Sequence, residues 1–129
     1  MKGDLRERPP LSRGGRSSPA GEGRAVGGRA VVDVTYLCSV YDAHWYTVQL
    51  WLEADQNSVT GLGEVTPVCD AREHTAAVTV SYLNTVNRFT PGKAAVASNL
   101  DLWTHASAGT LGRFIRGLGV DTRTLTLRA

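Results

Sequence analysis

The sequence predicts an α+β domain over residues 30–129, on three observations. Segments between Ala30 and Val65 either alternate apolar with polar residues or are dense in β-branched side chains. Asp70-Ala71-Arg72-Glu73 has the chemistry of a helix start, with apolar residues at helical spacing behind it. The stretch Val120 to Arg128 alternates again, as a closing strand would.

Ahead of that domain, residues 1–29 differ in composition. The first 30 positions hold Lys2, Arg6, Arg8, Arg13, Arg16, Arg24 and Arg29 against Asp4, Glu7 and Glu22, a local charge of +4 within a chain total of +2. Seven glycines, three prolines and no aromatic residue share the same stretch. Such a segment has too little apolar surface to offset the entropy of ordering, so a disordered basic leader is expected over 1–29. The remaining 99 residues sum to −2, so no nucleic-acid-binding surface is expected of the folded core. The leader lacks the apolar stretch of a secretory signal, and no apolar run is long enough to span a bilayer. The expected setting is cytoplasmic, away from a membrane. Cys38 and Cys69 are then expected as two free thiols.

The elements follow in order. Residues 30–40, rich in Val with Thr35 and Tyr36, suit a pleated, half-buried surface and predict the first strand. In the next strand Tyr46, Val48, Leu50 and Leu52 face one way, with Trp45, Thr47, Gln49, Trp51 and Glu53 opposite. Asp55-Gln56-Asn57-Ser58 is turn chemistry, and Val59 to Val65 makes a third strand whose Gly61 and Gly63 suggest a bulge. Beyond Asp70, the spacing of Ala76, Val80 and Leu83 predicts a helix, against the β-branched density of the segment. Thr90-Pro91-Gly92 breaks the chain. Val96, Leu100 and Trp103, then Leu111, Phe114, Ile115 and Leu118, predict one broken or two short helices over roughly 95–118. Gly119 would end them, and Val120 to Arg128 would form the last strand.

Few single residues carry chemistry. His44, His74 and His105 are spread about 30 positions apart, so no local metal-binding pair exists. Cys38 precedes His44 by six residues, and a thiolate beside an imidazole would make a nucleophile or an acid–base pair; a buried, inert cysteine on a strand is the structural alternative. Gly61-Leu62-Gly63 lacks the third glycine of a dinucleotide fingerprint, and Glu64 beside it reads equally as a solvated strand end.

The order of several segments resembles the 6-pyruvoyltetrahydropterin synthase and 6-carboxytetrahydropterin synthase family over residues 30–128. Cys38-x3-Asp42-Ala43-His44-Trp45-Tyr46-Thr47-Val48 stands where that family has Cys-x3-His-Gly-His-Asn-Tyr-x-Val, and Thr60-Gly61 follows at the family's distance. Tyr82-Leu83-Asn84-Thr85, Phe89-Thr90-Pro91 and Ser98-Asn99-Leu100 match later segments in order. The resemblance implies a T-fold-like antiparallel sheet with two helices packed on one face, assembled as a homo-oligomer. It also implies zinc held by His44 with Asp42, Cys38 as the catalytic residue, and a lyase acting on dihydroneopterin triphosphate in pterin or queuosine-type deazapurine biosynthesis. His74 and Glu64 would be the nearest candidates for replacement ligands. Asn84 and Thr85 stand at the family's Asp-His proton relay and Ser98 at its pterin-binding glutamate, so catalysis is left open. The alternatives are a non-catalytic T-fold assembly or binding module, and a fragment of an enolase-superfamily capping domain, suggested by Val59 to Pro67.

Overall fold

The computed structural model describes residues 15–39, 46–83, 87–104 and 112–129. Seven strands run through them: β1 (Gly15–Val26), β2 (Arg29–Ser39), β3 (Tyr46–Gln56), β4 (Val59–Val65), β5 (Asp70–Tyr82), β6 (Gly92–Thr104) and β7 (Phe114–Arg128). They form one closed barrel in the order β1-β2-β5-β4-β3-β6-β7. No helix occurs among the described residues. The expected α+β fold, with two helices on one face of a T-fold-like sheet, is therefore corrected to an all-β barrel.

Neighbours in an antiparallel ring alternate in direction, so a ring of seven strands must contain a parallel pair. That pair is β1 and β7, registered from Glu22↔Thr126 to Arg24↔Arg128. Strands β2 to β5 lie in the order β2-β5-β4-β3, a Greek key in which the fifth strand returns beside the second. Closure within one chain pairs the sheet's edges internally, so open edges supply no reason for subunits to join.

Several sequence expectations hold, among them the closing strand over Val120 to Arg128, which is the second half of β7. β2 and β4 fall where β-branched content places them, and β3 alternates as read, with Val48, Leu50 and Leu52 buried and Glu53 exposed. Gln56 and Val59 pair across a turn in which Asn57 takes a positive φ of 55°, a conformation asparagine tolerates.

Three expectations fail for definable reasons. Over Gly15–Val26 the expected disordered leader is strand β1; Val26 and Arg29 pair across Gly27 and Gly28, at φ 60° and 83°. Two such residues make the hairpin turn that matches natural strand twist. At Asp70 the helix-start chemistry serves a bulge. The Asp70 carboxylate accepts the Arg72 amide at 3.0 Å, Ala71 sits at φ 64°, and the ladder slips between Leu37↔Glu73 and Ser39↔Asp70. The predicted helices over β5, β6 and the start of β7 fail because a spacing of four belongs to both periods. Ala76 and Val80, or Val96 and Leu100, share a strand face equally well, and the buried Val78, Ser98 and Leu102 complete a period of two.

Leu50, Leu52, Leu100, Leu102, Leu125 and Leu127 are essentially inaccessible and, with the valines of β2, β5 and β6, fill the barrel. The glycines of β4 permit close strand approach rather than a bulge: a Cβ at Gly61 would come 2.5 Å from the Ser81 carbonyl, and one at Gly63 would strike that of Thr79. Phe89 closes one end of the barrel, its amide donating to the Gly28 carbonyl at 3.0 Å. Gln56 fixes that loop by donating to the Thr90 carbonyl and accepting the Thr90 amide, at 2.7 and 2.8 Å. At the other end the Tyr36 hydroxyl accepts the Val68 amide at 2.8 Å, beside a bridge between Cys38 and Cys69.

Candidate functional site

Of the residues singled out in the sequence, Cys38 is fully buried and disulfide-bonded to Cys69, which corrects the expectation of free thiols. With its sulfur in that bond, Cys38 offers no thiolate and cannot act as the nucleophile. Asp42, His44, Asn84, Thr85 and His105 lie outside the described residues. His74 stands on β5, with Nε2 2.8 Å from Asp70 Oδ1 and its ring stacked on Tyr36 at 5.7 Å. That hydrogen bond holds the Asp70 carboxyl below the ordinary aspartate range. Glu64 is exposed on β4, across the ladder from Trp51. Ser98 faces the interior, where its hydroxyl meets that of Ser17 at 2.8 Å. Among the described residues no three of His, Cys, Asp or Glu are grouped as metal ligands.

The arrangement most in need of explanation is on the outer wall. Inward positions of β3 and β6 fill the core, so the alternate positions form a grid in which Trp51 faces Asn99, Gln49 faces Asp101 and Thr47 faces Trp103. All six are partly buried. Trp103 packs edge-on against Phe114 at 5.5 Å, which braces it from β7. Asn99 donates through Nδ2 to Asp101 Oδ1. Across the next ladder Gly117 lies opposite Asp101, and a Cβ there would come 3.1 Å from Asn99 Nδ2, so glycine leaves room for the carboxamide. Burial pushes the Asp101 carboxyl above its usual range.

Trp51 Nε1, Trp103 Nε1 and Asn99 Oδ1 are shielded from solvent and have no hydrogen-bond partner. Leaving such a group unpaired costs about 1–3 kcal/mol. All three stand on one strand pair, β3 and β6. On its other side, Trp51 borders a groove of about 300 Å³ lined by Leu62, Gly63, Glu64, Thr79 and Ser81. Indole, carboxamide, carboxylate and hydroxyl groups thus lie side by side across β5, β4, β3 and β6.

The alternation of β3 already put Trp51 on the same face as Thr47, Gln49 and Glu53, and a large aromatic residue on a polar face was the available signal. Asn99, Asp101 and Trp103 carry no such signal, because the spacing of Val96, Leu100 and Trp103 also fits a helix. No protein-family model matches the chain, and comparison with curated proteins likewise finds no match. The resemblance to the pterin synthases therefore stands on segment order and spacing alone.

Proposed function

We propose that this chain is a non-catalytic binding module: a filled barrel serves as scaffold, and the outer wall of β3 and β6, with the groove beside Trp51, holds the ligand. The observation that carries this reading is that all three unpartnered polar atoms stand on outward positions of one strand pair, Trp51 opposite Asn99 and Trp103 further along β6. The buried polar residues of the interior, Ser17, Gln56 and Ser98, all have hydrogen-bond partners. Among the described residues, unmet buried hydrogen-bonding capacity thus belongs to the wall. The Cys38–Cys69 bridge supports a place in an oxidising compartment, in contrast to the cytoplasmic setting expected from the sequence.

Residues retained for binding contribute little to the stability of the free protein, and removing an orphaned donor relieves a cost. Trp51→Phe and Trp103→Phe keep an aromatic ring and delete the indole N–H. Thermal melts of the free protein should show both variants as stable as the parent or more so. A loss of several degrees in both would assign the indoles to the fold and remove the reading.

A further inference from the structure

Resting on that reading, we propose that the ligand is an uncharged oligosaccharide chain lying across the wall from Trp51 to Trp103, with further sugar rings reaching the groove at Thr79 and Ser81.

The geometry sets the length of the ligand. Trp51 is level with Asn99, and Trp103 lies four residues further along β6, so the indoles stand at opposite corners of the grid, about 13 Å apart along the strands. A single small molecule would touch one of them. A chain of several sugar rings would reach both and pass over Gln49, Asn99 and Asp101 between them.

The chemistry sets its class. A pyranose ring is amphipathic: its C–H faces pack on an indole, while hydroxyls around its rim both donate and accept hydrogen bonds. The wall offers the matching set. Trp51 Nε1 and Trp103 Nε1 donate only, Asn99 Oδ1 accepts, and the Asp101 carboxylate accepts. A hydroxyl-bearing ligand can satisfy donor-only and acceptor-only groups in one plane. All three of the unpartnered atoms are shielded in the free protein, so the proposed binding includes a side-chain rotation that brings each to the surface.

Charge disfavours polyanions. Residues 46–65 contain no lysine or arginine, whereas Glu53, Asp55 and Glu64 stand on β3 and β4. Asp101 adds a carboxylate at the centre of the grid. Phosphates or uronates would face carboxylates over β3 and β4, the nearest arginines, Arg113 and Arg116, standing off the grid at its β7 side. A second copy of the chain is disfavoured on different grounds. Protein interfaces concentrate apolar anchors at the centre and polar groups at the rim, but here Gln49 and Asp101 form the middle row, with the apolar Val120 and Phe114 further out on β7.

The test titrates the intact chain with cellohexaose, maltohexaose, mannohexaose and chitohexaose, with heparin as the polyanion, following tryptophan fluorescence and calorimetry. At least one neutral hexasaccharide should bind saturably, with a shift in the indole emission, and heparin should not bind. The corresponding disaccharide should bind at least about tenfold more weakly, because it reaches one indole. Trp51→Ala and Trp103→Ala should each weaken the hexasaccharide by about tenfold or more, and Gln49→Ala, a change that leaves both rings in place, should weaken it less. No saturable binding to any of the four at millimolar concentration would overturn the sugar proposal; the melting behaviour of the two Phe variants judges the binding wall separately. Reversible self-association abolished by Trp51→Ala would overturn it too, giving the face to a second copy.

Discussion

The hydroxyls of Ser17 and Ser98 meet at 2.8 Å inside the barrel, across 81 positions of sequence. β1 is thereby tied to β6 through the core as well as to β2 and β7 through the sheet. Truncating either serine leaves the other hydroxyl buried without a partner. Ser17→Ala and Ser98→Ala should each cost about 1–3 kcal/mol, and the double variant should cost clearly less than their sum. Urea denaturation of the four proteins measures the coupling, and strict additivity would show that the two hydroxyls do not depend on each other.

Cys38 and Cys69 are 31 positions apart, and the bridge joins the end of β2 to the segment entering β5. Closing a loop of that length removes conformational freedom from the unfolded chain, worth about 3–4 kcal/mol in the chain-entropy model. The variant with both cysteines replaced by serine should be destabilised by about that amount in urea, and dithiothreitol should bring the parent down towards it while leaving the variant unchanged. Thiol titration of the unfolded, unreduced protein should find neither sulfur reactive.

Strands β2, β3 and β4 are legible in the sequence because local patterns decide them: β-branched density, a strict alternation and a turn at Asn57-Ser58. β1 carries a legible signal in Gly27-Gly28, but its composition hides it. Its own side chains bury little, and it orders by lying against the core that β2 and β7 supply; a Cβ at Gly23 would come 2.7 Å from the Val31 carbonyl. β5 and β6 mislead because Ala76 with Val80 and Val96 with Leu100 fit two periods at once. The wall is half legible. Trp51 is visible on a polar face, but the register that sets it opposite Asn99 joins distant segments, which no local pattern encodes. The same limit applies to Cys38, whose burial is readable and whose partner is not, since Cys69 comes near it only once Ser39 pairs with Asp70.

Ala71 occupies the left-handed region, with φ 64°, at the bulge beside Asp70. A side chain there meets its own backbone, a cost of about 1–2 kcal/mol that glycine avoids, part of which is returned through the greater freedom of unfolded glycine. Ala71→Gly should therefore stabilise the protein by about 0.5–1 kcal/mol. Ala77→Gly, on the regular part of the same strand, should destabilise it by a similar amount. Chemical denaturation of the two variants side by side is the measurement, and equal losses at both sites would place Ala71 in ordinary strand geometry.

The Asp101 carboxyl is raised by desolvation, so the folded chain holds its proton more tightly than the unfolded chain does. A raised pKa gives stability that is present in full below the unfolded aspartate value, about 3.9, and is lost as pH rises through the folded value. At neutral pH the ionised group is thus a cost that the wall carries. Asp101→Asn removes the charge, while the new carboxamide oxygen can still accept the Asn99 Nδ2 hydrogen bond. The variant should melt above the parent at neutral pH, and the difference should shrink as pH falls and close near the unfolded aspartate value. A variant less stable than the parent at neutral pH would mean that the charged hydrogen bond to Asn99 outweighs desolvation. Where the variant melts higher, it also separates stability from binding: losing the anionic acceptor should weaken a hydroxyl-bearing ligand even as the free protein becomes more stable, the opposition expected of a charge kept at the centre of a binding surface.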